Sequence, residues 1–154
     1  MTVWKSLLGA AVFVIGSTAQ ASALEPMIDS FHLTDLLESQ QVKVLEVRSD
    51  EKAYFASHIP GSVYIPYGEF RGPEANPGKL PELKQLAKSL GARGIDTLDS
   101  VVIVHDGVTT TDFGAAARVY WMLKSVGFES LAILNGGFRD IKKMDLSWRP
   151  DGRP

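Results

Sequence analysis

Short strand-like runs alternate with segments of helical spacing along most of this chain. Four runs rich in β-branched and aliphatic residues predict strands at 42–47, 62–65, 101–104 and 131–134. Apolar residues spaced along one helix face predict helices at 33–38, 82–90, 113–126 and 138–142, and Ser49 or Asp50 caps a short helix that ends near Phe55. This alternation predicts parallel βαβ units, in which the run at 131–134 is counted as the fifth strand.

The run Val101–Val104 is the most hydrophobic strand candidate in the sequence. An unbroken apolar run is typical of a strand buried on both faces, so we place it in the middle of the sheet. A small polar loop, 107–111, follows this strand. Asp112 is the predicted N-cap of the next helix, and Gly127 ends that helix.

The N-terminal segment 1–23 has a pattern of its own. Lys5 precedes an apolar run at 7–15, and a small-residue stretch with two Ala-x-Ala sites follows. These are the three parts of a secretory signal peptide, with cleavage after Ala21 or Ala23. The alternative is an uncleaved membrane anchor, since the whole stretch is nearly long enough to span a bilayer. We expect export to a bacterial periplasm, with no stable membrane insertion after cleavage.

Length and composition predict one globular domain at 24–146, followed by a polar, proline-containing tail or linker at 147–154. The 154 residues are 45% hydrophobic and 22% charged, which is typical of globular proteins. The net charge is -2, and basic residues are interleaved with acidic ones, so the sequence offers no basic stripe to nucleic acid. Nucleic acid is therefore not an expected partner.

The sequence contains no cysteine. This excludes disulfides, thiolate metal sites and thiol nucleophiles from the chain. The three histidines, His32, His58 and His105, are scattered without paired spacing, so we expect neither a metal site nor another cofactor. The Gly-x-Ser-x-Gly motif of serine hydrolases and the Gly-x-x-x-x-Gly-Lys-Ser/Thr phosphate loop are also absent.

Seven motif residues lie in three short segments: Glu46 and Arg48, then His58, Pro60 and Gly61, and finally Gly136 and Gly137. With the strand at 101–105 and the helix at 116–123, their order resembles the rhodanese-type sulfurtransferase family over 30–146. Glu46 and Ser57 stand where the family usually has Asp and Gly. The resemblance implies an α/β three-layer fold, with a mainly parallel five-stranded sheet and helices on both faces.

The resemblance also implies where the chemistry of the family takes place. In active members a cysteine directly after the central strand carries sulfane sulfur as a persulfide, and N–H groups of the following loop form an anion cradle. Here that position is Asp106, whose carboxylate cannot carry sulfane sulfur. The loop up to Asp112 is also a few residues longer. Both departures resemble the non-catalytic first half of tandem thiosulfate or 3-mercaptopyruvate sulfurtransferases.

Two interpretations of Asp106 are open. Its carboxylate either fills the anion cradle by accepting N–H groups of its own loop, or is a solvated loop acid. The candidate anion-binding set comprises Asp106, Gly107, Thr109, Thr110, Thr111 and Arg118. For the three threonines the alternative is simple turn formation, and for Arg118 it is a surface ion pair. Arg48, His58 and His105 are interpreted as structural.

We therefore expect an exported, non-catalytic binding or structural module that pairs with a catalytic rhodanese domain or another periplasmic protein. The alternative is one part of an active sulfurtransferase whose catalytic cysteine lies in a second domain outside this chain. A third hypothesis makes Asp106 the nucleophile of a haloacid-dehalogenase-type phosphatase. That chemistry needs a second acid two positions further on, where Val108 stands.

Overall fold

The computed structural model of the protein describes residues 23–144. The predicted signal peptide, except Ala23, and the predicted tail at 147–154 lie outside these residues. Five parallel strands form one sheet, in the order β1-β5-β4-β2-β3. The strands are β1 Met27–Ile28, β2 Lys43–Glu46, β3 Val63–Tyr64, β4 Val101–Val104 and β5 Leu131–Leu134.

Four α-helices and a short 3₁₀-helix connect the strands, and a fifth α-helix follows the last strand. They are α1 Ser30–Glu38, α2 Glu51–Ala56, the 3₁₀-helix Tyr67–Phe70, α3 Leu83–Ala92, α4 Thr110–Ser125 and α5 Gly137–Lys143. Buried side chains of α3 and α4 belong to one apolar cluster, whereas those of α1 and α5 belong to a second. Because each cluster contains residues from the sheet, the helices cover both of its faces. The three-layer α/β fold is therefore confirmed.

Strand β4 lies at the centre of the sheet, as its apolar run predicts. All four of its side chains are fully buried. Val101 and Ile103 pack in the cluster beneath α3 and α4, whereas Val102 and Val104 pack in the cluster beneath α1 and α5. Full burial of a side chain of this size contributes about 1.5–3 kcal/mol. Because its side chains enter both clusters, β4 links the two halves of the core.

The fifth strand is β1, at the start of the described chain, and the sequence pattern does not locate it. Met27 and Ile28 pair in parallel with Ile133 and Leu134 of β5. Upstream, the Leu24 N–H donates to Ser130 Oγ at 3.1 Å. Two residues are too few to show an alternating pattern, because a strand is recognised from its period of two. The predicted number of five strands is correct, but the sequence pattern locates only four of them.

Helix α4 begins three residues earlier than its pattern predicts. Thr109 is the N-cap, and its side chain accepts the N–H of Asp112, whose carboxylate binds the Thr109 N–H in return. This reciprocal arrangement is a capping box. The prediction of Asp112 as the N-cap is therefore wrong, since Asp112 acts from the third helical position. Thr110 and Thr111 belong to the helix and not to the loop.

The carboxyl ends of β2 and β4 form the switch point of the sheet. From this central pair, β3 lies beyond β2 and β5 lies beyond β4, so the chain turns to opposite sides after the two strands. In open α/β sheets the ligand crevice lies outside the carboxyl ends at such a point. Arg48 follows β2 and Asp106 follows β4, two residues beyond each strand. Within 23–144, no helix has the length and hydropathy that a bilayer crossing requires.

Candidate functional site

An ion pair joins the ends of β2 and β4 at the switch point. The Arg48 Nε donates to Asp106 Oδ1 at 3.0 Å. The other oxygen, Oδ2, accepts the Ser49 N–H at 2.8 Å and the Ser49 hydroxyl at 2.6 Å. Asp106 therefore has both oxygens bound by the loop after β2, and only 18% of its side chain is exposed.

The hypothesis that Asp106 accepts N–H groups of its own loop is wrong. The N–H groups of Val108 and Thr109 donate to Asp112 Oδ2, at 2.9 and 2.8 Å. The Gly107 N–H donates to His105 Nδ1 at 3.1 Å. Asp112 occupies the cradle because the capping box brings its carboxylate back over the loop. The alternative of a solvated acid is wrong too, since Asp106 is mostly buried and ion-paired.

The surroundings of Asp106 keep it ionised. Burial alone would raise the pKa of its carboxyl, but hydrogen bonds from Ser49 and the Arg48 guanidinium hold that pKa below its ordinary value. The pKa of Asp112 is also lowered, because its bonds with Thr109 and Val108 outweigh its desolvation. Each carboxylate is therefore a fixed anion at neutral pH, without a proton to give to a substrate.

Glu46 occupies the opposite side of Arg48, inside the fold. Its Oε1 accepts the Ile59 N–H at 2.8 Å and the Ser62 hydroxyl at 2.7 Å, and its Oε2 lies 3.4 Å from Arg48 Nη1. The Glu46 side chain is fully buried. Burial raises the pKa of this carboxyl despite its hydrogen bonds. Glu46 thus fixes the turn at Ile59 and Ser62 to the end of β2.

Arg48 connects two elements beyond its two carboxylates. Its Nη1 donates to the Ser57 carbonyl oxygen at 2.6 Å, which ties it to the end of α2. Its guanidinium carbon lies 4.0 Å from the centre of the Phe138 ring on α5. A planar guanidinium serves both contacts, because it donates in its plane and stacks through its face. The structural interpretation of Arg48 agrees with these contacts, but the residue also contacts Asp106 directly.

The motif from His58 to Gly61 forms a turn after α2. The Ser62 N–H donates to the Ile59 carbonyl oxygen at 2.9 Å, and Gly61 has a φ of +74°, which favours glycine. Pro60 supplies the fixed φ that the preceding turn position prefers. His58 Nδ1 lies 3.1 Å from the Tyr54 carbonyl oxygen, and the two rings stack at 4.6 Å. These contacts support the structural interpretation of His58.

Glycines bring the loops after β4 and β5 into backbone contact. A Cβ on Gly107 would lie 1.9 Å from the Gly136 carbonyl oxygen, and one on Gly137 would lie 2.4 Å from the His105 carbonyl oxygen. That oxygen accepts the Phe138 N–H at 2.7 Å. The His105 side chain is buried, and burial lowers its pKa. The Gly136-Gly137 motif therefore lets α5 pack against the loop of Asp106, and His105 is structural.

Arg118 lies apart from the ion pair. Its guanidinium donates to the carbonyl oxygens of Gly78 at 2.8 Å, Lys79 at 3.1 Å and Phe70 at 3.5 Å. It therefore holds the long loop before α3. Both interpretations of Arg118 are wrong, because it contacts neither the cradle nor, within the described residues, a carboxylate.

Ser49 is a site residue that its sequence context does not predict. Its pattern suggests a cap for α2, but Asp50 is the N-cap, and its side chain accepts the Lys52 N–H. This leaves the Ser49 hydroxyl and N–H free to bind Asp106. A serine beside an aspartate gives no signal for such a role, because 57 residues separate Ser49 from Asp106.

The arrangement does not suit nucleophilic attack by Asp106. Both oxygens are engaged, and Arg48 neutralises the charge that a nucleophile would use. Two positions further on, Val108 is 67% exposed and has no acidic group. Within 23–144, no three His, Asp or Glu side chains converge in a way that suits a metal ion. The site instead presents a fixed ion pair beside exposed apolar side chains.

Comparison with known proteins identifies the family. The Rhodanese-like domain pattern matches residues 32–144. The bovine thiosulfate sulfurtransferase is 34% identical over 111 residues, which cover 70% of this chain and 33% of the bovine protein. The Arabidopsis thaliana mitochondrial thiosulfate/3-mercaptopyruvate sulfurtransferase 1 is 31% identical over 130 residues, covering 79% of this chain and 33% of that protein. The chain thus spans about a third of the length of these two curated relatives.

Solved structures agree at the level of fold. The 3-mercaptopyruvate sulfotransferase SseA from Escherichia coli has a TM-score of 0.66 at 20% identity, over 79% of this chain and 48% of that one. The human single-domain sulfurtransferase TSTD1 has a TM-score of 0.55 at 20% identity, over 79% of this chain and 98% of that one. The architecture, the motif order and the family match converge, and the chain belongs to the rhodanese-like domain family.

Proposed function

We propose that this chain is an exported, non-catalytic rhodanese-like module that acts with a cysteine-containing rhodanese domain. The observation that carries the proposal is the state of Asp106. By the order of the motifs it corresponds to the cysteine of active family members, and Arg48 and Ser49 hold both of its oxygens. A persulfide needs a thiolate, and the sequence has no cysteine. Sulfur transfer therefore needs a thiol from outside this chain.

The surface around Asp106 is suited to a partner domain. Val108, in the loop between β4 and α4, is 67% exposed, and Phe113, in the first turn of α4, is 39% exposed. Phe113 packs edge-on against His105, so its ring is held while one side faces solvent. Apolar side chains around a polar centre are typical of a binding surface. We expect the partner to cover this edge of the sheet.

The length of the relatives supports a catalytic domain as the partner. The chain covers 33% of the bovine and Arabidopsis sulfurtransferases, so most of each relative has no counterpart here. The cysteine domain either belongs to the same polypeptide or is a separate protein. In both cases the sulfur donor, thiosulfate or 3-mercaptopyruvate, would react at the partner's thiol.

A sulfur-transfer assay tests the absence of catalysis. The purified chain, given thiosulfate and cyanide, should form thiocyanate no faster than buffer, and turnover above that level would refute the proposal. In an Asp106→Cys variant the thiol lies beside Arg48, which favours the thiolate. We expect this thiolate to take the outer sulfur of thiosulfate and release sulfite, which adds the mass of one sulfur atom to this variant and not to an Asp106→Ser control.

A second assay tests the partner. A cysteine-containing rhodanese domain from the same cells is assayed with and without this chain, and we expect the chain to raise its kcat/KM. Val108→Glu or Phe113→Glu should abolish the increase, because a charge at a buried interface is costly. Phe31→Glu is the matched control, since Phe31 is 72% exposed on α1. An increase that all three variants retain would exclude this surface.

Export is tested separately. The 154-residue sequence is expressed in a Gram-negative host, and the periplasmic, membrane and cytoplasmic fractions are compared by mass spectrometry. We expect a periplasmic product that begins at Ser22 or Leu24. A full-length product in the membrane fraction would instead support the uncleaved anchor.

A further inference from the structure

A cavity of about 590 Å³ lies beside the Arg48–Asp106 pair, between the carboxyl ends of the central strands and the first turn of α4. Tyr64 and Tyr67 supply aromatic walls, Arg71 a cationic group, and Asp106 and Asp112 two carboxylates. This volume is in the range of small-molecule sites, which span about 300–1,000 Å³. The cavity also occupies the switch point, where α/β sheets bind ligands.

Two glycines line this cavity, and one of them lies inside α4. Gly114 lies in the second turn of α4 and lines the cavity, and a Cβ there would meet no atom within 4 Å. A helical glycine is less stable than alanine, and no neighbouring atom in the described fold requires it. Gly68 lines the same cavity and is equally free of contacts at its Cβ position. The space in front of both glycines is therefore available to a ligand.

The charged groups of the cavity differ in whether they already have a partner within the described residues. Asp106 is paired with Arg48, and Asp112 binds N–H groups of its own loop. Arg71 lies 5.6 Å from the centre of the Tyr67 ring, and no described Asp or Glu forms an ion pair with it. Its guanidinium is therefore the cavity cation that a ligand anion can reach.

The wall formed by the β4–α4 loop has the opposite sign. Asp106 and Asp112 are anions there, and Oδ1 of each accepts only one hydrogen bond within the described chain, which leaves it room for another. Burial raises the pKa of Tyr64, and the charges of Glu51, Asp50 and Asp106 raise it further. A ligand with only a negative charge would suit Arg71 but would be repelled by this wall.

We propose that the cavity binds a small zwitterion, an amino carboxylate with an aromatic or apolar body. Its carboxylate binds Arg71, its ammonium binds Asp106 or Asp112, and its body lies between Tyr64 and Tyr67. The aromatic walls exclude water from the body of the ligand, and the two charged walls select its ends. Binding needs no second domain, so it goes beyond the proposed partnership and is tested on this chain alone.

Three probes of one shape separate the charge requirements: para-aminomethylbenzoate, para-toluate and para-methylbenzylamine. They are a zwitterion, an anion and a cation at neutral pH, and each is titrated into the purified chain by heteronuclear NMR. We expect the zwitterion to bind about tenfold more tightly than either singly charged probe, because each of those loses one charged contact. Equal or tighter binding of a singly charged probe, or no saturable shift by the zwitterion, would overturn the proposal.

Two variants locate the site. Arg71→Gln should weaken the zwitterion about tenfold and leave para-methylbenzylamine unchanged, whereas Arg139→Gln, at an exposed position of α5, should change neither. Gly114→Leu should fill the cavity and abolish binding. Gly91→Leu is its matched control, since Gly91 is a helical glycine on α3 with equally open space. Undiminished binding by a folded Gly114→Leu or by Arg71→Gln would refute the placement.

Discussion

Two carboxylates contact the same arginine from regions that differ in their access to solvent. Glu46 lies inside the fold with a fully buried side chain, whereas Asp106 lies at the edge of the sheet with 18% of its side chain exposed. Arg48 contacts Asp106 at 3.0 Å and Glu46 at 3.4 Å. The pKa of Glu46 is raised and that of Asp106 is lowered. Contact with the same arginine therefore does not by itself determine whether the pKa of a carboxyl group is raised or lowered.

The difference between them follows from desolvation. The desolvation of Glu46 outweighs its bonds with Ile59, Ser62 and Arg48, so its pKa in the folded protein lies above the ordinary value of 4.5. As the pH rises above 4.5, the unfolded chain ionises this group more readily than the folded protein does, and the free energy of unfolding falls. At Asp106 the bonds from Ser49 and Arg48 outweigh a smaller desolvation. The inner carboxylate is a structural connection, and the outer one is a surface group that the fold holds in place. Substitution should accordingly cost far more stability at Glu46 than at Asp106.

Glu46→Ala should have the largest effect. It leaves the Ile59 N–H, the Ser62 hydroxyl and part of the Arg48 guanidinium without their buried acceptor, and we expect the free energy of unfolding to fall by about 3–5 kcal/mol. Urea unfolding followed by circular dichroism measures it. Glu38→Ala, at an exposed position of α1, is the control and should stay within about 0.5 kcal/mol. A loss below about 1 kcal/mol at Glu46 would contradict its structural role.

Arg48→Met should rank second, at about 2–4 kcal/mol, because it removes the contacts to both carboxylates but keeps an apolar stem against Phe138. The same variant sharpens the comparison through NMR titration of the two carboxyl groups. Loss of the guanidinium should raise the pKa of Asp106 and also that of Glu46. Arg139→Met is a control without these contacts. An unchanged pKa of Asp106 would show that Ser49 alone sets it.

Asp106→Asn should cost only about 1 kcal/mol at neutral pH, since its site is partly solvated. The effect should depend on pH. The folded-state pKa of Asp106 lies below the unfolded value of 3.8, so its stabilisation is complete above that value and is lost as the pH falls through the folded pKa. Urea unfolding of both proteins in steps from neutral pH to about pH 2 should show the gap closing below 3.8. A gap that stays constant would argue against this ion pair.

Asp112→Ala should have the smallest effect, about 0.5–1 kcal/mol, because it removes one side of the capping box of α4. It also tests whether the two acids are independent. Since the loop N–H groups bind Asp112 and not Asp106, the pKa of Asp106 should keep its lowered value in this variant. Thr110→Ala, in the same turn, is the stability control. Transfer of the loop N–H groups to Asp106 would appear as a further fall in its pKa.

Elements with a strong local pattern were predicted correctly. Val101–Val104 is buried on both faces as its unbroken apolar run requires, and α5 follows β5 with Gly136 as its N-cap, beginning at Gly137, one residue before the predicted start. The start of α4 was misplaced because a capping box contains two polar residues that both resemble caps. Strand β1 was missed because two residues have no period. These errors occur where the local signal is short or ambiguous.

The partners of the site residues depended on distant parts of the chain. Nothing in the sequence near Arg118 indicates that its guanidinium binds the carbonyl oxygens of Gly78 and Lys79, which lie 40 and 39 residues away. For Asp106, one of the two open interpretations names the N–H groups of its own loop as donors, because they are the nearest in the sequence. The structure brings Ser49 to it instead, from the loop after β2. Such contacts require knowledge of which strands are neighbours.

The sequence by itself determined that this chain has a rhodanese-like α/β pattern and no thiol for a persulfide. Composition and strand periodicity are local properties, so they can be read without the fold. Only the tertiary structure decided that Asp106 binds Arg48 and Ser49 and that an open cavity lies beside them. The physical reason is the pairing of β2 with β4, which places the ends of two strands in contact although 58 residues separate Arg48 from Asp106.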